Sequence, residues 1–399
     1  MFLGAVALAF AHSGEFGATL VRGRLESPSE LWMLSEGWGV LHSGDAGESW
    51  SWICEEAIGT EAVYDVQAWD DGTAILGTRE GMVMIDGNCV ATPYTGLDGG
   101  FVLRAERWQD KAVALWVGDG VGGVFTCDAF DCVATPLYGQ GYFPKTAFVD
   151  SDTLYVTLVH TEGLAAELYA TTDGLNWETR YSWPLGDTDP RLVWASGNTI
   201  YLWTKPRTDA AIPAFLRSTD GGRSFEATFE TGYYTDAAPG VLVRDQGQTV
   251  LLGSYYGART WKSTDGGRSF EERSTDFPAV RCGLDLGGTS YTCGDHLADG
   301  FDVAVTLDAE NFTPRSCIEE ALPAECAEAA CDAYVDAWVS AGAYGGGQCD
   351  VEADSGQPAE PPSDDCGCED GSAAFLLVLA YWPRTRKAWP EKARSSTSA

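Results

Sequence analysis

Basic residues are scarce in this sequence: 25 lysines and arginines stand against 59 aspartates and glutamates, which gives a formal net charge of −34. Proteins that bind nucleic acid gather lysine and arginine on one face to contact the phosphates, so this balance argues against a nucleic-acid partner. So large an excess of acid is typical of a solubilised extracellular surface. The alternative, divalent-cation binding, requires clustered oxygen ligands, which the sequence does not show.

Sequence motifs of several enzyme classes are also missing. The histidines show no metal-type spacing, and no G-x-S-x-G nucleophile elbow occurs. We therefore predict no metal, no cofactor and no catalytic residue. Carboxylates are nevertheless abundant enough to supply a pair at the separation that glycoside hydrolysis uses, so a glycoside hydrolase is kept as the alternative. The histidines are His12, His42, His160 and His296.

Stretches with helical periodicity are rare, whereas turn-forming and aromatic residues are frequent. The chain contains 47 glycines, 15 tryptophans, 16 tyrosines and 16 phenylalanines. This composition is typical of all-β proteins, which use glycine in turns and aromatic residues in strands. The chain has 399 residues, and all-β domains of about 250 residues commonly form a single unit. We expect one large all-β domain with short appendages.

The octapeptide STDGGRSF occurs twice, at residues 218–225 and 263–270, so the second copy begins 45 residues after the first. Related segments continue through the chain, and their marker aspartates are successively 41, 42, 45, 47, 45 and 43 residues apart. Each repeat contains four short runs rich in β-branched and aromatic residues, bounded by glycine and aspartate. Seven such units predict a seven-bladed β-propeller of four-stranded blades over residues 12–318. The markers are Asp45, Asp86, Asp128, Asp173, Asp220, Asp265 and Asp308.

The repeated octapeptide has the composition of a tight turn between the third and fourth strands of a blade. Its two glycines tolerate the positive φ angles that such a hairpin needs. The aspartate can accept hydrogen bonds from the N–H groups of its own turn, and the serine or threonine two residues earlier adds a hydroxyl. The aromatic residue is expected to start the fourth strand and to pack into the blade.

These segments resemble the Asp-box, or BNR repeat, whose pattern is S-x-D-x-G-x-T-W. The resemblance covers residues 43–50, 218–225 and 263–270, with a shortened form, TTDGLNW, at 171–177. It implies a sialidase-like propeller fold and a structural rather than catalytic role for the aspartates. Sialidases carry an Arg-Ile-Pro motif near the start of the domain, and this sequence lacks one. The aspartates to which the resemblance assigns a structural role are Asp45, Asp173, Asp220 and Asp265.

Aromatic residues recur in the segments that lead from the fourth strand of one blade to the first strand of the next. These segments are expected to cross the face opposite the aspartate turns, where propellers usually bind ligands. Rigid tyrosine and tryptophan rings beside aspartate suit a sugar face or an extended peptide. The alternative is that the rings close the gaps between blades. The candidate ligand-binding residues are Tyr94, Tyr138, Tyr142, Trp183, Tyr233 and Tyr234.

The 12 cysteines favour disulfides and therefore export, because disulfides persist in oxidising compartments. Cys127 and Cys132 flank the third marker, so a bond between them would staple that turn. Cys282 and Cys293 are expected on adjacent strands of the last blade, where they can pair. The cysteines at equivalent fourth-strand positions of the first two blades are Cys54 and Cys89.

An alanine-rich stretch at residues 319–350 follows the propeller and predicts a small helical cap. Four cysteines lie in or beside it, and we expect them to form disulfides that hold the cap together. A zinc site is the alternative. Four cysteines permit three pairings, so the connectivity stays open. They are Cys317, Cys326, Cys331 and Cys349.

The two ends of the chain have the composition of targeting segments. Residues 1–11 combine a short apolar run with an A-x-A site, as a signal peptide does, although the basic n-region is missing and a buried strand is the alternative. Residues 351–368 are acidic and proline-rich, which is typical of a disordered linker. Residues 369–399 begin just after a Cys-Gly-Cys motif and contain a short apolar run followed by basic residues.

This C-terminal arrangement resembles the MYXO-CTERM sorting tag of myxobacterial surface proteins, with a disordered tail as the alternative. The resemblance implies that a sorting protease recognises the tail and that the protein is anchored to the envelope. The apolar run has ten residues, which is too short to cross a bilayer as a helix.

Together these features predict an exported propeller at the cell surface or outer membrane, or secreted from it. We expect a non-catalytic binding or scaffold module for a carbohydrate or an extracellular protein. A glycoside hydrolase is the alternative, and a purely structural envelope protein is the third class.

Overall fold

The computed structural model describes residues 18–35, 39–70, 72–160, 165–184, 188–206, 212–230, 240–253, 259–274, 277–294, 299, 301–316 and 321–332. The chain divides into two units, Met1–Val351 and Glu352–Ala399, and all described residues belong to the first. The predicted signal peptide, linker and sorting tail lie outside the described residues.

Seven sheets of antiparallel strands form the blades, and the four strands of each blade follow one another in chain order. This confirms the predicted all-β, seven-bladed propeller. Blade 1 contains β1 (Ala18–Arg24), β2 (Ser27–Ser35), β3 (Gly39–Ser43) and β4 (Ser51–Ile53). Blade 2 contains β5 (Val63–Ala68), β6 (Thr73–Thr78), β7 (Gly81–Asp86) and β8 (Ala91–Pro93). Blade 3 contains β9 (Gly100–Trp108), β10 (Lys111–Gly118), β11 (Val121–Asp128) and β12 (Asp131–Gln140).

The remaining four blades repeat the same order. Blade 4 contains β13 (Tyr142–Asp150), β14 (Thr153–His160), β15 (Ala165–Thr171) and β16 (Glu178–Pro184). Blade 5 contains β17 (Thr188–Ser196), β18 (Thr199–Pro206), β19 (Ala214–Ser218) and β20 (Glu226–Glu230). Blade 6 contains β21 (Gly240–Arg244), β22 (Thr249–Gly253), β23 (Thr260–Ser263) and β24 (Glu271–Glu272), with a 3₁₀ turn at Asp245–Gly247. Blade 7 contains β25 (Cys282–Leu286), β26 (Thr289–Cys293), β27 (Val303–Thr306) and β28 (Thr313–Ser316).

Burial decreases from the second strand of a blade to its outermost strand. In β10, with the sequence KAVALWVG, every residue after Lys111 is buried. Both faces of such a strand pack against other strands, so a continuous apolar run replaces the alternation of a half-exposed strand. By contrast, no residue of β16 is buried. The hydrophobic core therefore consists of clusters that lie between neighbouring blades.

The first strands of the blades surround the propeller axis, and β25 of the last blade contacts β1 of the first. Side chains on these strands also bond to the next blade. A carboxylate oxygen of Asp65 accepts a hydrogen bond from the Ala105 amide at 2.8 Å, and the Thr146 hydroxyl accepts one from the Leu192 amide at 2.7 Å. These bonds fix the positions of the axial strands relative to one another.

The antiparallel order of the strands divides the connections between two faces. The hairpins between first and second strands and the turns between third and fourth strands lie at the same end of every blade, and we call this end the hairpin face. The connections from fourth strands to the next first strands lie at the other end, the crossover face. The two faces therefore carry different classes of loop.

A C-terminal segment, residues 321–332, returns to blade 1 after the last blade, and we call it the clasp. Its strand β29 (Leu322–Pro323) pairs in parallel with β4 and adds a fifth strand to blade 1. A helical turn at 328–332 follows it. The clasp therefore extends blade 1 at its outer edge.

Two disulfides attach the clasp to the propeller. Cys331 bonds to Cys54, directly before the short helix α1 (Glu55–Ile58), and Cys326 bonds to Cys89 in blade 2. The prediction of a cap held together by its own disulfides is therefore wrong for these two cysteines. The reason is that β29 runs beside β4 and brings the clasp close to the cysteines of the first two blades. Cys317 and Cys349 lie outside the described residues.

The two local cysteine pairs are confirmed. Cys127 and Cys132 face each other across the β11–β12 turn and are bonded. Cys282 and Cys293 are directly opposite on β25 and β26 and are also bonded. Directly opposed residues on antiparallel strands have the short Cα separation that a disulfide requires.

Candidate functional site

A cavity of about 610 Å³ opens at the propeller axis, and we call it the axial basin. Residues from six blades line it, mostly from first strands and the hairpins that follow them. Leu25, Glu26 and Gln109 belong to those hairpins, so the basin lies at the hairpin face. Its volume is within the range of about 300–1,000 Å³ that is typical of small-molecule sites. The axial basin is therefore the best candidate for a ligand site in the described part of the chain.

The basin has a polar half and an apolar half. Blades 1 to 3 contribute all of its arginines, together with glutamine and glutamate side chains. Blades 4, 5 and 7 contribute aliphatic and aromatic side chains and one carboxylate, Asp285. The arginines are Arg22, Arg24, Arg104 and Arg107, and the apolar residues of the opposite half are Phe148, Val149, Val193, Leu284 and Leu286.

Arg22 and Arg104 lie in the polar half beside two buried carboxylates, Asp65 and Glu106. Arg104 is 3.5 Å from Asp65 and 3.7 Å from Glu106, and Arg22 is 3.8 Å from Glu106. These ion pairs are longer than hydrogen bonds. The Nε atoms of both arginines are buried without a hydrogen-bond partner among the described residues. Both guanidinium groups therefore keep donors that the described part of the protein does not use.

The other two arginines of the basin, Arg24 and Arg107, donate hydrogen bonds to neighbouring protein groups. Arg107 donates to the Trp69 carbonyl at 2.6 Å and to the Asp70 carboxylate at 3.1 Å. Its guanidinium also lies 4.7 Å from the centre of the Trp69 ring. Arg24 donates to the same Asp70 carboxylate at 3.3 Å. Arg24 and Arg107, the rim arginines, are thus hydrogen-bonded, whereas Arg22 and Arg104 form only longer ion pairs.

Burial shifts the pKa values of the interior charges. Desolvation, and then the neighbouring Arg104, lower the pKa of Arg22. Desolvation raises the pKa of Glu106, although Arg22 and Arg104 oppose the shift. Desolvation also lowers the pKa of Arg191, which lies close enough to Arg104 for the two cations to repel each other. Removing charge from water is costly, so these groups gain from any further polar contact.

The repeated aspartate turns occupy the same face but form a different kind of structure. In each, a serine or threonine hydroxyl donates to the aspartate two residues later, and the carboxylate accepts hydrogen bonds from the following amides. For Asp220, the Ser224 hydroxyl donates at 2.6 Å, and this bond together with the Ser224 amide lowers the pKa of the carboxyl. Gly221 and Gly222 have φ angles of 71° and 84°, as the sequence predicts.

Five turns share this hydrogen-bonding scheme, including all four at the predicted structural aspartates. The fifth turn contains Asp308. The sequence analysis identifies Asp308 as a repeat marker but does not predict this hydrogen-bonding scheme for its turn. Its signal is the pattern T-x-D-x-x-N, which residues 306–311 share with residues 171–176. In both, the asparagine side chain donates to the aspartate at 2.7 Å. The five aspartates are Asp45, Asp173, Asp220, Asp265 and Asp308.

Replacing Ser218 by alanine is expected to lower the free energy of unfolding by about 1–3 kcal/mol. The Ser218 hydroxyl is buried, donates to Asp220 at 2.8 Å and accepts from the Gly222 amide at 2.9 Å, so its removal leaves a buried donor unpaired. Urea unfolding measures the change. Ser182→Ala, on the exposed strand β16, serves as the control and should be nearly neutral. Equal effects of the two variants would contradict the structural role of the turn.

The structure describes four of the six predicted ligand-binding aromatics and places them in separate clusters. Tyr94 is 8% exposed, and its ring lies 4.9 Å from that of Phe130, between blades 2 and 3. Burial raises its pKa to about 12. This position corresponds to the alternative in which the aromatic residues close gaps between blades. Tyr233 and Tyr234 lie outside the described residues.

Two of these aromatics lie in strands rather than in the predicted connecting segment. Tyr138 is in β12 and Tyr142 begins β13, because only Gly141 separates the two strands. Tyr138 is 42% exposed and packs beside Phe125, with ring centres 5.4 Å apart. The Tyr142 ring lies 4.7 Å from that of His160.

Trp183 likewise lies within a strand, β16, and its ring contacts Phe225 of blade 5 at 5.4 Å. The described aromatics therefore do not converge on one surface. As a proposed ligand site, the six residues stay a prediction.

Sequence reasoning did not find the axial basin. Its arginines and carboxylates come from three repeats and show no motif. The only signal available was that charged residues interrupt first strands that are otherwise apolar, as in the segments LVRGR and VLRAERW. A charged residue on a strand next to the axis must face either a partner or a cavity.

Comparisons with known proteins agree on the fold. A search against protein-family models finds no match, and a search of curated proteins finds none either. Hydrazine synthase from Kuenenia stuttgartiensis aligns with a TM-score of 0.55 and 12% identity over 74% of this chain and 96% of that chain. The extracellular domain of a putative hybrid two component system from B. thetaiotaomicron aligns with a TM-score of 0.54 and 10% identity over 73% of this chain and 38% of that one.

YCF48 from Cyanidioschyzon merolae is a third similar structure, with a TM-score of 0.51 and 13% identity over 75% of this chain and 97% of that chain. What they share with this chain is the propeller. Because one of these structures is an enzyme and another is an extracellular domain, the fold by itself does not assign an activity.

No group of three or more histidine, cysteine, aspartate or glutamate side chains among the described residues could hold a metal ion. In that same part of the chain, no helix is long and apolar enough to span a membrane. The four disulfides are typical of an exported protein.

Proposed function

We propose that this protein is an exported binding module, anchored at the cell surface, whose axial basin receives part of an extracellular protein or carbohydrate partner without catalysing a reaction. The observation that carries the proposal is the pair Arg22 and Arg104, whose guanidinium groups line the open cavity and form ion pairs of 3.5–3.8 Å but no hydrogen bonds with described residues. A hydrogen-bond acceptor on a bound partner would pair with their terminal nitrogens, which are not among the buried atoms.

Further features support this proposal. The disulfides favour export, and an extracellular domain is among the similar folds. The Asp-box resemblance supports a structural role for the turn aspartates, whose carboxylates are occupied by turn amides and side chains. The resemblance of the tail to a MYXO-CTERM tag supports an envelope anchor. Tyr138, exposed on β12, is kept as a candidate for a second contact with the partner.

One observation favours the alternative of a glycoside hydrolase. Glu106 lines the basin and has a pKa raised by burial, and carboxyl groups with raised pKa values serve as general acids in such enzymes. The arginines beside it would then hold the substrate. The experiment must therefore detect product as well as binding.

The test measures binding of the full, oxidised chain to a glycan array and its capture of envelope proteins. The same glycans are then analysed for released sugar. Specific retention of one sugar family or one protein, lost in Arg104→Gln, is the expected result. Arg79→Gln is the matched control, because Arg79 pairs with Glu61 away from the basin. Released sugar would replace the proposal with a glycosidase. Failure to retain any sugar or protein would overturn it in favour of a structural envelope protein.

A further inference from the structure

The two halves of the axial basin restrict the chemistry of its ligand, and this inference rests on the proposed function. Arg22 and Arg104 supply positive charge and terminal guanidinium donors on one side, where their ion pairs are 3.5–3.8 Å long. Phe148, Val193 and Leu286 supply apolar contact on the other. A ligand that is polar throughout, such as a simple sugar, would leave the apolar half without a partner. A purely apolar ligand would cover the two guanidinium groups without giving them any hydrogen bond beyond their long ion pairs, which is the costlier mismatch.

The charge near Arg22 and Arg104 favours an anion with a single charge. Guanidinium groups match carboxylates and phosphates equally well in shape. Glu106, however, lies within 4 Å of both arginines, at 3.8 and 3.7 Å, and Asp65 lies 3.5 Å from Arg104. A dianionic phosphate beside these carboxylates would be repelled more strongly than a monoanion. A carboxylate is therefore the better match.

We propose that the axial basin binds a carboxylate carried next to an apolar group, with the carboxylate on Arg22 and Arg104 and the apolar group on Phe148, Val193 and Leu286. Two sources present this chemistry: the free C-terminus of a peptide that ends in an aliphatic residue, and a medium-chain fatty acid. Both place one negative charge at the end of an apolar segment. The rim arginines, Arg24 and Arg107, keep their pairing with Asp70 and do not take part.

Isothermal titration of the full, oxidised chain at low salt tests the proposal with two matched pairs of probes. The first pair is acetyl-Gly-Ala-Leu with a free C-terminus and the same peptide with a C-terminal amide. The second pair is octanoate and octanamide. We expect at least one carboxylate probe to bind at least tenfold more tightly than its amide, and the better of the two carboxylates identifies the source. Glucuronate tests the apolar half, because it carries a carboxylate without an aliphatic group.

Single-residue variants test whether binding depends on Arg22 and Arg104 themselves or only on the overall charge of the protein. Arg22→Gln and Arg104→Gln should each weaken binding of the preferred carboxylate at least tenfold, and Arg79→Gln should leave it unchanged. Because the arginine variants could also disturb folding, Leu25→Asp provides a second measurement. Leu25 lines the basin but is 64% exposed, so an acidic side chain there is tolerated by the fold and should repel the ligand.

Three results would overturn the inference. Equal binding of acid and amide would exclude recognition of the carboxylate. Binding of glucuronate as tight as that of the peptide or octanoate would exclude a role for the apolar half. Absence of binding by every probe would exclude this ligand class. The proposed binding function would still be decided by the array and capture experiment, because a partner retained there need not carry a carboxylate next to an apolar group.

Discussion

Replacing Cys326 and Cys331 together by serine is expected to lower the free energy of unfolding by about 2–5 kcal/mol for each bond lost. The two disulfides join residues 237 and 277 positions apart, so they restrict the unfolded chain over most of the propeller. They also hold β29 against β4, a pairing of only two residues. Thermal unfolding measures the loss, and limited proteolysis should cut the variant within the clasp before the blades.

The chain offers a matched control for this experiment. The Cys127–Cys132 bond spans five positions and links the two strands beside a single turn. Replacing both of these cysteines by serine should therefore lower the free energy of unfolding clearly less. If both double variants lose the same stability and neither becomes sensitive to protease at the clasp, then closure of the ring does not depend on these bonds. The first strands of blades 7 and 1, which lie in contact, would then hold the ring closed by packing alone.

Replacing Asp65 by alanine is expected to destabilise the propeller by about 3–5 kcal/mol. The side chain is fully buried, accepts a hydrogen bond from the Ala105 amide at 2.8 Å and lies 3.5 Å from Arg104. Its loss leaves a buried amide without an acceptor and a largely buried guanidinium with less compensation. Urea unfolding gives the change in free energy, and the same variant should loosen the junction between blades 2 and 3.

Asp70→Ala is the matched control for Asp65→Ala. Asp70 also pairs with two arginines, Arg24 and Arg107, but its side chain is 62% exposed. Water screens ion pairs of this kind, and we expect a change of at most about 1 kcal/mol. A loss for Asp65→Ala no larger than that for Asp70→Ala would show that the buried carboxylate does not hold the two blades together.

Some features could be predicted from the sequence because they depend on residues that are close together in the chain. A blade is one run of four antiparallel strands, so each repeat carries its own strands and turns within about 45 residues. The turn at Asp220 is complete within seven residues, from Ser218 to Ser224. The disulfides Cys127–Cys132 and Cys282–Cys293 join residues on adjacent strands of one blade, and they were anticipated for the same reason.

Features that depend on how one part of the fold lies against another are not predicted correctly from the sequence. Tyr138 and Tyr142 were expected in a loop, but strands β12 and β13 extend almost to each other and include them. Cys326 and Cys331 were expected to bond within a cap, yet their partners lie in blades 1 and 2. In both cases the deciding factor was the position of one element against another, which local composition does not encode.

The sequence by itself determined the class of fold, the number of blades and the chemistry of their turns, because each of these repeats along the chain. Only the tertiary structure decided how the ring is closed and where charge collects at its axis. Arg22, Asp65 and Arg104 follow one another at intervals of about 40 residues and belong to different repeats. They meet because seven first strands surround one axis, so a residue at a similar height in each blade reaches the same place.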